Sequence, residues 1–285
     1  MKAFIIATTL ISSSVFATVP QDRTFSSVGI KKVKIDNLQG DVKFVADAAS
    51  QIKISYTHAS ESFASYCSLI IEQKDKSTVK ASVIRNSTSF QGKNPCQTDF
   101  TVSLPAHLEG SLDLGQGNVT VVGLNDEFKA KVGQGNVQID APLKNVNVSV
   151  GQGDVRGQKI SEKADISVGS GNIELSLLHV SDVDTNTGLG NIKINVTSVM
   201  NKGKVSAKIG NGNGSITADS IPARGEIEIK TGLGNVTATL PATASITADI
   251  SSGIGKANNE FVSSLNAFKV DMASGAGDIS IVKKK

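Results

Sequence analysis

The residues with the strongest claim to chemistry form a recurring phrase, Gly-x-Gly-Asn/Asp followed by Val or Ile. It occurs at Gly115-Gln116-Gly117-Asn118, Gly133-Gln134-Gly135-Asn136 and Gly151-Gln152-Gly153-Asp154. It returns at Gly169-Ser170-Gly171-Asn172, Gly188-Leu189-Gly190-Asn191 and Gly232-Leu233-Gly234-Asn235. Paired glycines can cradle a phosphate, but a dinucleotide fingerprint needs a third glycine and a following helix. Here period-two alternation follows each phrase, as in Val119-Thr120-Val121 and Val137-Gln138-Ile139, which specifies strand. Calcium is the second chemistry the phrase suggests, because stacked Gly-x-Asp turns ligate it in β-rolls. Neutral Asn118, Asn136, Asn172, Asn191 and Asn235 outnumber Asp154 and Asp278, and hard cations need carboxylates. The phrase therefore reads as a structural turn ladder, and no metal or cofactor is expected.

Catalytic constellations are equally sparse. His58, His107 and His179 are scattered, and none lies in a zinc or triad motif. Outward carboxylates Asp165, Asp184, Glu228, Asp249 and Asp271 could serve a polysaccharide-cleaving β-helix enzyme. Interleaved with Lys129, Lys131, Lys208 and Lys230, they read instead as the solvated face of a sheet. Aromatic content is 4% with no Trp, so stacking platforms for sugar rings are few. Thr217, Thr237, Thr239 and Thr247 do not form the regular ranks of an ice-binding surface. No enzyme activity is expected.

The elements that position the phrase follow from its spacing. Second glycines recur about 18 residues apart at first and 19 to 24 apart later, a solenoid period. Val146, Val148 and Val150 alternate with Asn147 and Ser149 before one phrase, and Ile227 and Ile229 alternate with Glu228 and Lys230 before another. Each unit thus supplies two short strands joined at a glycine corner, plus a return connection. Two such strands form only a marginal sheet alone, so units must stack at about 4.8 Å each, giving a rod of roughly 40 Å over nine of them. The expected fold is all-β: a right-handed parallel β-solenoid (β-helix). Asn tolerates corner geometry, and its amide can bond the Asn one unit away. Around Gly253 the pattern fades, with Lys256 in place of Asn and Asn259 in place of an apolar residue. That unit reads as a distorted end coil, with Ile281 and the lysine tail closing the chain.

Residues 18–110 lack the regular phrase but keep alternating runs such as Ile52-Ile54-Tyr56 and Val79-Ala81-Val83. They read as an irregular cap on the regular repeats of 111–285, and Leu38-Gln39-Gly40-Asp41-Val42 as a worn copy of the phrase. Ser60 to Tyr66 fits either a helical turn or a loop. Residues 1–17 have the Lys2, apolar run and Val15-Phe16-Ala17 ending of a secretory signal, with cleavage expected after Ala17. No later run is long and apolar enough for a transmembrane span. Export and an even cysteine count favour a Cys67–Cys96 disulfide, worth about 3.5 kcal/mol in the loop-entropy model. The formal charge is only +3, with three lysines in the tail, so no basic face points to nucleic acid.

Phe100-Thr101-Val102-Ser103-Leu104-Pro105 followed by serial Gly-x-Gly-Asn/Asp-Val units resembles the bacterial exported β-strand-repeat "putative adhesin" families, domains of unknown function. The resemblance covers roughly residues 25 to 282. It implies a right-handed β-solenoid in the bacterial envelope or outside it, so the chain is expected in the periplasm, at the cell surface or outside the cell. A regular array without a convergent site is expected to act as a non-enzymatic adhesin through multivalent polar strand faces, with an envelope or extracellular glycan or protein surface as partner. It supplies no catalytic residues. The alternative role is a periplasmic structural or envelope-stress scaffold.

Overall fold

The computed structural model describes residues 20–60, 62–86, 95–265 and 267–285. The expected signal segment, 1–17, lies outside them. Among the described residues the chain is all-β, with one short helix. It opens with β1 (Gln21–Ser26), β2 (Lys32–Gln39), β3 (Val42–Asp47) and β4 (Gln51–His58), then the helix α1 (Phe63–Tyr66). Next come β5 (Cys67–Asp75), β6 (Thr78–Arg85) and β7 (Thr98–Pro105). The regular units supply β8 (Glu109–Gln116), β9 (Val119–Val122), β10 (Glu127–Gln134), β11 (Val137–Asp140) and β12 (Asn145–Gln152). Three long strands follow, β13 (Val155–Ser170), β14 (Ile173–Leu189) and β15 (Ile192–Asn211). The chain then forms β16 (Gly214–Ala218), β17 (Gly225–Leu233), β18 (Val236–Pro241) and β19 (Ile246–Ile254). It ends with β20 (Ala257–Asn259), β21 (Phe268–Ala276) and β22 (Ile279–Lys284).

Strands before the glycine corners pair in parallel in the order β6, β2, β8, β10, β12, β13, β14, β15, β17, β21, β19. Those after the corners pair in parallel as β7, β3, β9, β11, β13, β14, β15, β16, β18, β22, β20. Register is in step: Val132 pairs with Val150, Val150 with Val168, and Gln134 with Gln152. Inward columns such as Ile35, Leu112, Ala130, Val148 and Ile166 are 0–2% exposed and fill the space between the two rows. This is the alternation read from sequence, one apolar rank per unit.

Stacking order departs from chain order at both ends. The β2–β3 unit sits inside β6 and β7, and the last unit in the chain, β21–β22, slots between β17–β18 and β19–β20. The Gly253 unit is outermost, as its worn sequence suggested, but the lysine tail does not close the stack. The ends also differ in build. At the N-terminal end the strands turn antiparallel: β5 on β6, β4 on β7 and β1 on β4. Cys67 and Cys96 are joined there as a disulfide with Cα atoms 5.6 Å apart. At the C-terminal end β19 pairs with β21 on one side. Its other side meets the segment around Ser263, through a bridge from Ile246 and hydrogen bonds from Thr247 to Ser264 and from Ala248 to Ser263.

Candidate functional site

The sequence-predicted corner residues all come together, as three adjacent columns. The second glycine of each phrase has a positive φ, +144° at Gly117 and +138° at Gly234, which favours glycine strongly over any side chain. The first glycine has ordinary φ but is sterically required. A Cβ on Gly133 or Gly151 would lie 2.5 Å from the carbonyl oxygen of the glycine one unit below, and on Gly169 or Gly188 2.6 Å. From Gly115 onward, units approach to sheet spacing at the bend because both columns lack side chains.

The third column is a continuous hydrogen-bond ladder. Each side-chain Oδ1 accepts the backbone N–H of the next unit: Asn136 N–H to Asn118 (3.1 Å), Asp154 N–H to Asn136 (2.9 Å), Asn172 N–H to Asp154 (2.9 Å) and Asn191 N–H to Asn172 (3.0 Å). It continues through Asn213, Asn235 and Asp278 to Lys256 N–H, which donates to Asp278 at 2.8 Å. At the other end Asn118 N–H donates to Asp41 and Asp41 N–H to Asp99, at 2.7 and 2.8 Å. The expected amide-to-amide contact is present as a second bond, for example Asn191 Nδ2 to Asn172 at 3.1 Å. The principal acceptor is the side-chain oxygen, which explains why Asp and Asn interchange along the column. Asp41, Asp99, Asn213 and Asp278 complete the ladder. Asp99-Phe100 was the signal for the least obvious member, an Asp before an apolar alternating run without the glycines.

Outward columns run beside the corner at one side chain per unit. Asp113, Lys131, Ser149, Ser167 and Asn186 flank the first-glycine column, whose Gly115 to Gly188 segment floors an open groove of about 800 Å³. Leu38 takes the glycine position at its N-terminal end and lines it. Gln116, Gln134 and Gln152 stand next in line and link by side-chain amides at 2.9 and 3.2 Å. Asp36 and Asp113, at the groove's end, are neutralised by Lys34 (3.1 and 2.6 Å) and Asp36 also by Lys80 (2.6 Å). Parallel, closely stacked strands thus give a shallow groove that crosses six of them.

Farther along the same sheet face the charges interlock. Glu228, 7% exposed, is held by Lys204 at 2.7 Å and Lys230 at 2.6 Å. Hydrogen bonds from these lysines hold its carboxyl down at about 2, and raise the lysines in turn. Lys269 bridges Glu226 (2.9 Å) and Asp271 (3.5 Å), and Lys230 reaches Asp271 at 3.4 Å. Asp165 and Asp184 lie on the same column, each beside a polar partner: Asn147 Nδ2 donates to Asp165 at 3.5 Å and Lys208 pairs with Asp184 at 3.6 Å. The predicted carboxylates therefore share one face but are spread along it at no more than one per unit, with Ser206 between Asp184 and Glu228.

Fold and corner together define an all-β repeat protein with stacked parallel units. The chain belongs to the Toastrack DUF4097 family, whose model matches residues 30–266. No curated protein matches it. Among solved structures it is similar to a "putative lipid binding protein" from Parabacteroides distasonis ATCC 8503, at 13% identity, with 93% of this chain and 97% of that one covered and a TM-score of 0.51. A "putative adhesin" from Bacteroides fragilis NCTC 9343 aligns at 14% identity over 93% and 97%, TM-score 0.47. Another from Parabacteroides merdae ATCC 43184 aligns at 13% over 93% and 96%, TM-score 0.44. The first of these shares the fold. No helix among the described residues is long and apolar enough to cross a membrane.

Proposed function

We propose that this chain is an exported, non-enzymatic binding protein of the cell envelope or cell surface, an adhesin-like right-handed β-solenoid acting through repeated contacts. The observation that carries the reading is the set of outward columns beside the glycine-floored groove. They place one polar side chain per unit at about 4.8 Å intervals on a frame fixed by the corner ladder. Such an array suits an extended ligand held by many weak contacts, whose combined strength exceeds any single one. The partner class it fits is an envelope or extracellular glycan or protein surface. The Cys67–Cys96 disulfide supports an oxidising compartment.

Binding of purified, oxidised protein to whole cells and isolated envelope material tests this reading. Saturable binding that Ser149→Arg with Ser167→Arg abolishes, at unchanged Tm, is the expected result; no binding to either material would end it. The scaffold reading has one observation of its own, the open outer side of β19, where another protein's strand can add to the sheet. Protease shaving of intact cells separates the two, since a periplasmic scaffold survives and a surface adhesin is cut.

A further inference from the structure

The residue between the two glycines of each phrase is exposed at the corner, and its chemistry changes halfway along the stack. In the N-terminal half it is Gln116, Gln134 and Gln152, joined to one another through their side-chain amides. In the C-terminal half the register aligns Leu189, Asn211, Leu233, Ala276 and Ile254, in that order. Leu189, Leu233 and Ile254 are 58%, 54% and 76% exposed, so most of each side chain is left to solvent. The glycines on either side have nothing to shield them with. The result is a convex aliphatic ridge along five stacked units, about 20 Å from end to end. Large aliphatics exposed on one line mark a contact surface, unlike the same residues scattered singly.

The ridge is symmetric about its middle: Leu189 lies two units to one side of Leu233 and Ile254 two units to the other. A two-fold contact needs that spacing, because it pairs each residue with the symmetry-related position of the second copy. With two stacks antiparallel and the axis between Gly232 and Leu233, each aliphatic side chain lies over a first-glycine position of the other copy. Leu233 covers Gly232, Leu189 covers Gly253 and Ile254 covers Gly188. The same operation sets the outward column before the corner against the corner ladder of the second copy. Lys208 then faces the partner's Asp278, while Lys230 and Ser251 face the partner's Asn235 and Asn191, and no like charges meet. Within its own chain Asp278 uses one oxygen on the Lys256 N–H and enters no ion pair among the described residues. Lys208 has a 3.6 Å contact with Asp184. A lipid surface would use the same aliphatics but would need neither their symmetric spacing nor an acid opposite Lys208. We propose that this face binds a second copy of the chain, as an antiparallel two-fold dimer centred on Leu233. A strip this short falls below the roughly 800 Å² per partner of a tight complex, so the association is reversible. The dimer leaves the groove floor from Gly115 to Gly169 open in both copies, which doubles the valency of the assembly.

Sedimentation equilibrium of the full oxidised chain over a range of micromolar concentrations tests this. A single monomer–dimer equilibrium is the expected result. Leu233→Ser, beside the axis and exposed, should weaken it about tenfold or more at unchanged Tm. Lys208→Glu, which sets like charges against Asp278 of the second copy, should weaken it by a smaller factor. Leu233→Cys should join two copies through a disulfide under mild oxidation, whereas Gln134→Cys, at the equivalent corner position of the other half, should not. A monomer at every concentration, a dimer indifferent to Leu233→Ser, or equal cross-linking at both positions overturns the proposal. So does a monomer that binds vesicles of phosphatidylcholine and phosphatidylglycerol through Leu233, which would make the ridge a lipid contact. Ser149 and Ser167 lie outside the ridge, so their arginine variants should dimerise as the parent does. Failure of the dimer is therefore separate from failure of the envelope-binding reading.

Discussion

The two ends of the stack solve the same problem differently. A stack of parallel strands exposes an unpaired backbone edge wherever it stops. At the N-terminal end the chain reverses direction, laying β4 and β5 antiparallel on the last parallel strands, adding β1 and α1, and tying β5 to the approach to β7 through Cys67–Cys96. At the C-terminal end only the segment around Ser263 leans on β19. Ser264 N–H donates to the Ile246 carbonyl at 2.7 Å, while Ile254, Val262 and Leu265 stay 76%, 89% and 93% exposed. The first end is covalently tied, with β1 and β5 each paired on one side only; the second is held by packing and by the ladder that stops at Lys256. Between them the units are interchangeable. The ends therefore set where the molecule should loosen first.

The largest effect expected is at a mid-stack corner. Gly151→Val drives a Cβ to within 2.5 Å of the Gly133 carbonyl, with a unit packed on either side, and should destabilise by roughly 3–5 kcal/mol in denaturant titration. Gly253 faces an equal 2.5 Å approach to Gly275, but its unit is outermost and can move away. Gly253→Val should cost clearly less, and equal losses would mean that the C-terminal unit is as rigid as the middle. Next, Cys67→Ala with Cys96→Ala should cost about 2–4 kcal/mol. Hydrogen exchange should show the loosening in β4, β5 and β7 and leave β17 to β22 unchanged.

Acid comes third. Glu228 titrates near 2 in the folded chain against an ordinary 4.5. Its depressed value contributes stability that is complete above about pH 4.5 and is lost as pH falls toward 2, on the order of 3 kcal/mol in full. Lys204 and Lys230 are raised, so their share is present below their ordinary 10.5 and fades only above it. Glu228→Gln should flatten the pH dependence of Tm between 4.5 and 2 without touching the N-terminal end. The smallest effect belongs to a single rung: Asn136→Ala should cost about 1 kcal/mol by removing the acceptor for the Asp154 N–H. Asn136→Asp should be near neutral, as Asp154 already shows by carrying the Asn172 N–H.

How much of this was legible in the sequence divides along the same lines. The middle could be read because the phrase states its own geometry: glycine spacing gives the unit, and Val146-Val148-Val150 gives the inward face. The disulfide followed from cysteine count and the expectation of export. The swapped stacking order was not legible, because period-two alternation identifies a strand without naming its neighbour. A weaker signal existed in side-chain chemistry. Lys256 has no acceptor oxygen, so it can only end the ladder, whereas Asp278 can pass it on. The carboxylates on the outer face were legible as a solvated column, but the burial of Glu228 was not, since it depends on which lysines the register brings beside it. The antiparallel pairing of β1 with β4 joins distant segments and leaves no local pattern.

If the glycine phrase builds the frame and the outward columns do the binding, the two can be perturbed separately. One paired measurement separates these roles: Tm and envelope binding of Asn136→Ala beside those of Ser149→Arg with Ser167→Arg. The Asn136 variant should lose about 1 kcal/mol of stability and bind as well as the parent. The serine variant should keep its Tm and lose binding. A stable Asn136 variant that no longer binds, or a serine variant that binds undiminished, would place the function on the corner itself and contradict the account.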